Sequence, residues 1–210
     1  MSRGKYILFE GGEGCGKSYQ SRETLTYLQK KGIPCVTTRE PGGTPGAEQV
    51  RRLILDPTEH FGMRAKLFLF EAARAEIYEK VIIPALEAGT SVVADRSGYS
   101  TIAYQGYGEG LDLGLIKRAN EVATMGLRPD LLFILNVSPE VGLGRSTKNE
   151  FGKPDSIEAL GLKFHRRVHR GYMEIARENS DIAIVVQDIP NGQEKMQEEI
   201  RTHLRNRIGF

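Results

Sequence analysis

The segment GGEGCGKS, residues 11–18, contains the residue types and spacing that most directly predict chemistry. It matches the pattern G-x-x-x-x-G-K-[ST] and lies between an apolar run and a segment of helical periodicity, the context that supports such a match. Backbone N–H groups in a glycine-rich turn of this kind, together with the start of the helix, bind phosphate groups. We therefore predict a nucleotide site formed by Gly11, Gly12, Glu13, Gly14, Cys15, Gly16, Lys17 and Ser18.

Two of these residues are expected to act on the phosphates and their counterion. Lys17 is predicted to reach the terminal phosphates, and the Ser18 hydroxyl is predicted to ligate Mg²⁺. A second metal ligand is expected at Asp95, because this carboxylate ends the apolar run SVVAD and so lies at the end of a strand. Taken alone, Asp95 could instead cap the helix that follows it.

Arginines near predicted strand ends indicate a second phosphorylated ligand. A guanidinium group matches two phosphate oxygens at once, although any single arginine is more often a solvated surface residue. The guanine-reading pattern N-K-x-D does not follow the later strands, so the phosphate loop is not accompanied by the signature of a GTPase switch. As a set beside a nucleotide site, four residues favour an acceptor nucleotide: Arg39, Arg51, Arg74 and Arg96.

The elements that must position these residues alternate between short apolar runs and longer segments of helical periodicity. Runs that are apolar nearly throughout are typical of strands covered on both faces. Because strand and helix alternate along the whole chain, we predict one α/β domain, residues 1–210, with a parallel sheet flanked by helices. The five predicted strands are 5–11, 34–40, 91–96, 131–137 and 182–188.

Local signals also predict three helix boundaries. Pro84 is expected to kink or end the long helix that begins near residue 64. Ser138 as N-cap and Pro139 at the first helical position predict the start of another helix. Asp155 and Glu158 have the spacing of a capping box at the start of a later helix.

Composition and charge exclude several classes of function. The chain of 210 residues has a formal net charge of +2, which is too balanced to argue for a nucleic-acid-binding surface. No apolar run reaches the roughly 18 residues of a membrane span, and the N-terminal segment lacks the features of a signal peptide. Cys15 and Cys35 form neither a metal-type pair nor a disulfide framework. We expect a soluble, cytoplasmic protein with no membrane or nucleic-acid partner.

A series of motifs resembles the thymidylate kinase family, in order and over essentially the whole chain. They are FEGGEGCGKS, TREPGGT, EQVRRLILD, LFLFEAARAE, ADRSGYSTIAYQG, RPDLLFILNVSPEVGL and FHRRVHRGYMEIA. The resemblance implies a P-loop NTPase fold, a three-layer α/β/α arrangement around a five-stranded parallel sheet, usually assembled as a homodimer. It also implies that the phosphate loop binds ATP and that a phosphoryl group passes from ATP to dTMP in the presence of Mg²⁺.

The resemblance further implies a role for each residue around dTMP. Phe70 is similar to the ring that stacks on thymine, although periodicity alone would also suit an ordinary core residue. Arg74 would donate to a thymine carbonyl, and Tyr104 would crowd out a ribose 2′-hydroxyl. The dTMP phosphate would be held by Arg39, Arg51 and Arg96. The base and sugar would be contacted by Ser100, Thr101, Tyr104 and Gln105, with Glu13 near the 3′-hydroxyl.

The sequence departs from the family pattern at one catalytic position. Members place an arginine either in the phosphate loop, where this chain has Gly14, or in a lid, here about residues 145–156. The lid motif is usually D-R-x-E and here reads DSIE, with Ser156 at the arginine position. Since a cation should still meet the charge on the transferring group, our hypothesis is that Arg145 and Lys153 supply it, although both could be solvated surface charges. The predicted catalytic residues are then Lys17, Arg96, Arg145 and Lys153.

Two other functions stay open at this point. One is a small P-loop kinase for a different nucleotide or a nucleoside, which Phe70, Arg74 and the segment STIAYQG argue against. The other is a nucleotide-dependent regulatory ATPase without an acceptor, which the arginine set and the lid-like loop disfavour.

Overall fold

A five-stranded sheet forms the centre of the computed structural model, which describes residues 3–56, 58, 60–146, 157 and 160–210. Every strand pairs in parallel with its neighbour, in the order β2-β3-β1-β4-β5. The predicted α/β fold with a five-stranded parallel sheet is confirmed, and each strand lies within its predicted range. The strands are β1 (Tyr6–Gly11), β2 (Cys35–Arg39), β3 (Ser91–Asp95), β4 (Leu131–Asn136) and β5 (Ala183–Gln187).

Helices cover both faces of this sheet. The α-helices in the described ranges are α1 (Lys17–Lys30), α2 (Pro45–Leu55), α3 (Met63–Ile77), α4 (Ile83–Glu87), α5 (Gly98–Thr101), α6 (Leu113–Thr124), α7 (Pro139–Arg145), α8 (Gly161–Glu178) and α9 (Gln193–Ile208). Two π-helical segments, Tyr78–Ile82 and Ile102–Gly108, follow α3 and α5 directly. Among these helices, none combines the length and the apolar character that crossing a bilayer requires.

Burial on both faces explains why the strands are apolar nearly throughout. Neighbouring side chains of β1 point to opposite faces, so Leu8 packs in a cluster with residues of α3 and α8, and Phe9 in another with residues of α1 and α9. The Phe9 ring stacks on Phe133 of β4, with 5.1 Å between the ring centroids. The sheet is therefore held rigidly between two helical layers.

The helix boundaries agree with the sequence at α7 and differ at Pro84. Pro139 is the first residue of α7, and Ser138 Oγ accepts a hydrogen bond from the N–H of Val141 at 3.3 Å, as predicted. The helical path does not end at Pro84: it continues from α3 through the segment Tyr78–Ile82 into α4, where Pro84 lies in the first turn. The irregularity that a proline requires is the π-helical segment just before it. Asp155 and Glu158 lie outside the described residues.

The carboxyl ends of β1 and β3 position the chemistry-bearing residues. Phe9 of β1 lies opposite Asp95 of β3, so the phosphate loop that follows β1 lies beside Asp95 and Arg96. Arg96 has a φ of 73°, a left-handed conformation that is uncommon outside glycine, and its N–H donates to Phe9 O at 2.9 Å. This edge of an open parallel sheet is where such folds bind ligands.

Candidate active site

The phosphate loop, residues 11–18, surrounds the ammonium group of Lys17. Lys17 Nζ donates to Gly12 O at 2.7 Å and to Gly11 O at 3.1 Å, and it lies 3.4 Å from Cys15 Sγ. Because α1 begins at Lys17, the positive end of its helix dipole adds positive potential beside this ammonium. Gly16, with a φ of 90°, makes the turn from loop to helix in a conformation that suits glycine. The loop is thus built to hold an anion.

Ser18 and Asp95 come together at the mouth of this loop. The Ser18 hydroxyl donates to Asp95 Oδ2 at 2.6 Å, although the two residues are 77 positions apart in the chain. Mg²⁺ prefers hard oxygen ligands and often takes one or two from the protein and the rest from water and phosphate. A hydroxyl and a carboxylate in contact beside a phosphate loop therefore fit this ion. The rival reading of Asp95 as a helix cap gains no support, since its carboxylate is bonded to Ser18.

Arg96 and Glu13 form a partly buried ion pair between the phosphate loop and the rest of the site. Arg96 Nη2 lies 2.8 Å from Glu13 Oε1, and both side chains are less than one-fifth exposed. Burial opposes the ionisation of Glu13, but the positive charges of Arg96 and Lys17 outweigh it and lower its pKa to about 2. The Tyr104 hydroxyl donates to the same Glu13 oxygen at 2.5 Å. Glu13 is therefore ionised and fixed in place.

A cavity of about 140 Å³ opens beside this ion pair, and it gathers most of the residues predicted to bind dTMP. Nine of those ten residues line it: Glu13, Arg51, Phe70, Arg74, Arg96, Ser100, Thr101, Tyr104 and Gln105. We call this space the acceptor cavity. Its walls combine an aromatic ring, several hydroxyl and amide groups and three guanidinium groups, a mixture that suits a planar base attached to an anion.

Arg74 is the deepest charge of the acceptor cavity, with only 2% of its surface exposed. Its Nε donates to Glu40 Oε2 at 2.8 Å, and its Nη1 donates to Glu71 and to Asn120. Burial disfavours its charge, but Glu40 and Glu71 raise the pKa of Arg74 above its usual value. One Nη2 hydrogen donates to Thr101 Oγ1 at 2.9 Å, which leaves the second Nη2 hydrogen without a partner among the described residues.

Comparison with known proteins identifies the family. The family model described as thymidylate kinase matches residues 9–200. The chain belongs to the thymidylate kinase family. It is 48% identical to the thymidylate kinase of Gloeobacter violaceus over 171 residues, 81% of each chain, and 43% identical to that of Chlorobaculum parvum over 90% of each. The crystal structure of thymidylate kinase from Ehrlichia chaffeensis superposes with a TM-score of 0.80 at 33% identity, covering 97% of this chain and 99% of that one.

Arg39 is the one predicted dTMP-binding residue that does not line the acceptor cavity. Its guanidinium is exposed and lies 3.2 Å from Glu48 of α2. A different and larger cavity, about 390 Å³, lies between α6 and the end of α8 and shares Ser97 with the acceptor cavity. None of the predicted site residues lines this larger space, so the residue chemistry, rather than volume, locates the candidate active site.

The remaining predicted cations of this thymidylate kinase family member belong to the predicted lid, about residues 145–156. Arg145 ends α7 and makes a two-pronged ion pair with Asp188, with 2.9 Å from Nη1 to Oδ1 and 3.1 Å from Nη2 to Oδ2. Arg145 and Asp188 line a space beside Gly14, Cys15 and Gly16 of the phosphate loop. Lys153 and Ser156 lie outside the described residues.

Gly14 lies against the backbone of α7. It has a φ of 61°, and a Cβ atom built on it would overlap the carbonyl group of Gly142. Gly142 is equally confined, because its own Cβ would overlap Glu13 O. Two glycines thus allow the phosphate loop and α7 to approach at backbone distance, and no side chain fits at position 14.

Sequence reasoning missed several carboxylates that organise the site. Glu10, fully buried, accepts hydrogen bonds from the Ser97 and Ser100 segment, and Glu40 lines the acceptor cavity and holds Arg74. Their signal was present, since Glu10 interrupts an apolar strand and Glu40 lies inside the TREPGGT motif. An acidic residue in an apolar run has to find buried partners.

Placing an arginine in the phosphate loop at position 14 should destabilise this chain. We expect Gly14→Arg to lower the free energy of unfolding by roughly 1–3 kcal/mol, because the side chain overlaps α7 and the backbone is left-handed. Urea denaturation measures this change. Gly12→Ala is the matched control, since a Cβ at Gly12 meets no atom within 4 Å. Equal stability of the two variants would contradict the packing argument.

The buried carboxyl of Glu40 should make stability fall as pH rises. Burial, opposed by Arg74 and reinforced by Glu10 and Glu71, raises the pKa of Glu40 from 4.5 to about 7. Between these values the folded protein keeps a proton that the unfolded chain has lost, so the folded state is increasingly disfavoured, by at most about 3 kcal/mol at pH 8. Urea denaturation from pH 4.5 to 8 should show a clearly smaller decline in Glu40→Gln than in the wild type, the remainder coming from Glu10 and Glu109, whose pKa values burial also raises.

Glu48→Gln provides a control of opposite sign for that measurement. The hydrogen bond from Gly43 N–H, with Arg39 nearby, lowers the pKa of Glu48, so its ionised form stabilises the folded state as pH rises. Removing it should lower stability more at pH 7 than at pH 4. A wild-type pH profile that matches Glu40→Gln throughout would refute the Glu40 assignment.

Proposed function

We propose that this chain transfers the γ-phosphoryl group of ATP to dTMP and forms ADP and dTDP. The observation that carries the proposal is the position of Arg96, which binds Glu13 of the phosphate loop and at the same time lines the acceptor cavity. Phosphoryl transfer depends mainly on positioning and on stabilising charge, and one guanidinium between donor and acceptor serves both. The thymidylate kinase names of its relatives support the same conclusion.

The phosphate loop is the proposed ATP site. Its N–H groups and the start of α1 would bind the phosphates, and Lys17 would exchange its carbonyl partners for the terminal phosphates. Ser18 and Asp95 would hold Mg²⁺, which when bound neutralises phosphate charge. No general base is required, because the phosphate monoester of dTMP is already ionised near pH 7.

The acceptor phosphate would be held by Arg51 and Arg96, with help from Arg39. Arg51 Nη1 already donates to Pro41 O at 2.9 Å, which directs it along the wall of the acceptor cavity. To bind the acceptor phosphate, Arg39 would have to break its ion pair with Glu48. An exposed ion pair of this kind contributes little to the free energy of folding, so breaking it costs little.

The base and sugar would occupy the rest of the acceptor cavity. Phe70 would stack on thymine, and the remaining Nη2 hydrogen of Arg74 would donate to a thymine carbonyl. Tyr104, held by its bond to Glu13, would leave no room for a ribose 2′-hydroxyl. The other polar contacts would come from Ser100, Thr101 and Gln105, with Glu13 at the 3′-hydroxyl. Buried polar groups of this kind reject bases that leave them unpaired.

Two cations of the predicted lid are proposed to stabilise the charge on the transferring phosphoryl group. They would replace the arginine that the family motif has at the position of Ser156. Arg145 lies beside the phosphate loop and would exchange its two-pronged pair with Asp188 for the transferring phosphoryl group. Lys153 would act as a second, point-like charge.

We also propose that the chain forms a homodimer in the cytoplasm. Large apolar side chains are exposed on α2, α3 and α6, among them Phe68 at 62% and Val122 at 80% exposure. Because α3 packs against both α2 and α6, we propose that the exposed groups of these helices share one face. Two copies related by a two-fold axis would cover this face with itself. Both cysteines are free thiols, which fits a reducing compartment.

Removing the lid cations singly tests their proposed role. Arg145→Ala and Lys153→Ala are each expected to lower kcat about 10-fold or more, because a cation that meets the transferring phosphoryl contributes several kcal/mol at most. Lys163→Ala, an exposed cation of α8, is the matched control and should leave kcat unchanged. Full activity of both lid variants would dispose of the hypothesis.

Charge placed on the apolar face tests the homodimer. Phe68→Glu should convert a dimer into monomers, since two buried like charges would face each other across the two-fold axis. Sedimentation velocity reports the mass directly. Val36→Glu, which alters an exposed apolar side chain away from this face, should leave the dimer intact. A wild-type protein that sediments as a monomer at micromolar concentration would reject the assembly.

An acceptor panel tests the activity itself. In a coupled ADP-release assay with ATP and Mg²⁺, we expect kcat/KM for dTMP to exceed that for AMP and GMP by about 100-fold or more, because the wrong base leaves Arg74 unpaired. Preference for dCMP or UMP would instead favour a kinase for another nucleotide. ADP release that no acceptor stimulates would favour a regulatory ATPase.

A further inference from the structure

Glu10 is a buried carboxylate at the end of β1 that the proposed mechanism leaves without a role. It has no exposed surface and immediately precedes the phosphate loop. Its Oε1 accepts hydrogen bonds from the N–H groups of Ser97 and Ser100, at 2.8 and 3.1 Å. Its Oε2 accepts from Ser100 Oγ at 2.6 Å and from the Tyr172 hydroxyl at 3.0 Å. Burial raises the pKa of Glu10, but the four donors that converge on its oxygens and the charge of Arg96 favour the ionised form, which can only accept hydrogen bonds.

The two hydroxyl groups on Oε2 also contact the guanidinium of Arg96. Arg96 Nη1 lies 3.2 Å from Ser100 Oγ and 3.2 Å from the Tyr172 oxygen. A guanidinium can only donate, and a hydroxyl has one proton and two lone pairs. These contacts are therefore attractive only if both hydroxyl protons point away from Arg96.

Glu10 determines where those protons point. An ionised carboxylate has no proton to give, so a hydroxyl in contact with it must donate to it. Once Ser100 and Tyr172 donate to Glu10 Oε2, the remaining lone pairs are the only groups that they can offer to Arg96. The polarity of the whole network then runs from Arg96, through two hydroxyls, to Glu10.

The same carboxylate fixes the backbone that carries Arg96. The bonds from Ser97 and Ser100 N–H to Oε1 hold the turn that leads from β3 into α5, directly after the left-handed residue Arg96. The Glu10 carboxylate thus positions both the side chain and the main chain of Arg96. Glu10 itself belongs to β1, the strand that leads into the phosphate loop.

We propose that Glu10 is a positioning residue for phosphoryl transfer, which aligns Arg96 by forcing the Ser100 and Tyr172 hydroxyls to act as acceptors. The proposal rests on the function proposed above, since it assigns Arg96 to the transferring phosphates. Glu10 touches neither nucleotide site and acts entirely through these hydroxyls and the adjoining turn.

Glu10→Gln separates the two tasks of the carboxylate. The amide oxygen can occupy the Oε1 position and keep both backbone bonds, while the NH₂ group occupies the Oε2 position and donates to the hydroxyls. The hydroxyl protons are then free to point at Arg96, and the polarity of the network is lost. We expect kcat to fall about 10- to 100-fold, as for the loss of hydrogen bonds to a charged group, with KM for ATP unchanged.

A double-mutant cycle distinguishes polarity from a general structural effect. In a Ser100→Ala/Tyr172→Phe background, Arg96 has already lost both hydroxyl acceptors that Glu10 orients, and its remaining hydroxyl contact, with Tyr104 at 3.4 Å, is oriented by Glu13 instead. There Glu10→Gln should change kcat less than about 3-fold, because the interaction that it inverts is absent. Equal losses in both backgrounds would overturn the proposal, as would a Glu10→Gln enzyme with wild-type kcat.

Two further measurements keep the test decisive. Glu109→Gln, a partly buried carboxylate outside the site, is the matched control and should keep wild-type kcat. If Glu10→Gln does not fold, Tyr172→Phe alone removes one acceptor and leaves Glu10 bonded to Ser100, and unchanged kcat in that variant would refute the proposal. A wild-type enzyme that fails to phosphorylate dTMP would reject the proposed function instead, so the two failures are distinguishable.

Discussion

The ion pair between Arg96 and Glu13 is the interaction on which the arrangement of the site depends. Both charges are largely withdrawn from water, and a buried charge that loses its partner is strongly destabilising. The pair can form only if the end of β3 and the phosphate loop lie at one edge of the sheet, which the parallel pairing of β1 and β3 ensures. Lys17 and Tyr104 reinforce it from either side. The donor and acceptor halves of the site are therefore joined by electrostatics as well as by the backbone.

Much of the fold and part of the site could be predicted from sequence because their signals are local. Strands buried on both faces are apolar nearly throughout, and the phosphate loop occupies eight consecutive residues. Phe70 and Arg74 also reach one cavity together because they are one turn apart on α3. The other predicted residues of the acceptor cavity came from motifs of the thymidylate kinase family. Hydrophobic periodicity would not have identified them.

The features that sequence reasoning missed are those in which distant segments meet. Glu10 is stable in the core because it finds Ser97 and Tyr172, which lie 87 and 162 residues away. Arg39 lies at the predicted strand end, but its guanidinium pairs with Glu48, a nearer partner in sequence that the turn between β2 and α2 brings back to it. Pro84 predicts an irregularity in the helix but not which kind. In the structure it is a π-helical segment, which tertiary contacts allow to form just before the proline. Composition and spacing contain no information about such partners.

The contact between Gly14 and Gly142 limits where a catalytic cation could lie in this chain. Because α7 meets the phosphate loop at backbone distance, the loop cannot carry a side chain at position 14. A cation introduced from that side would have to displace α7, which ends at Arg145. Under the proposed function, the charge on the transferring phosphoryl group would therefore be met by cations outside the loop, such as Arg96. The proposed alignment of that guanidinium by Glu10 would then bear directly on the rate of transfer.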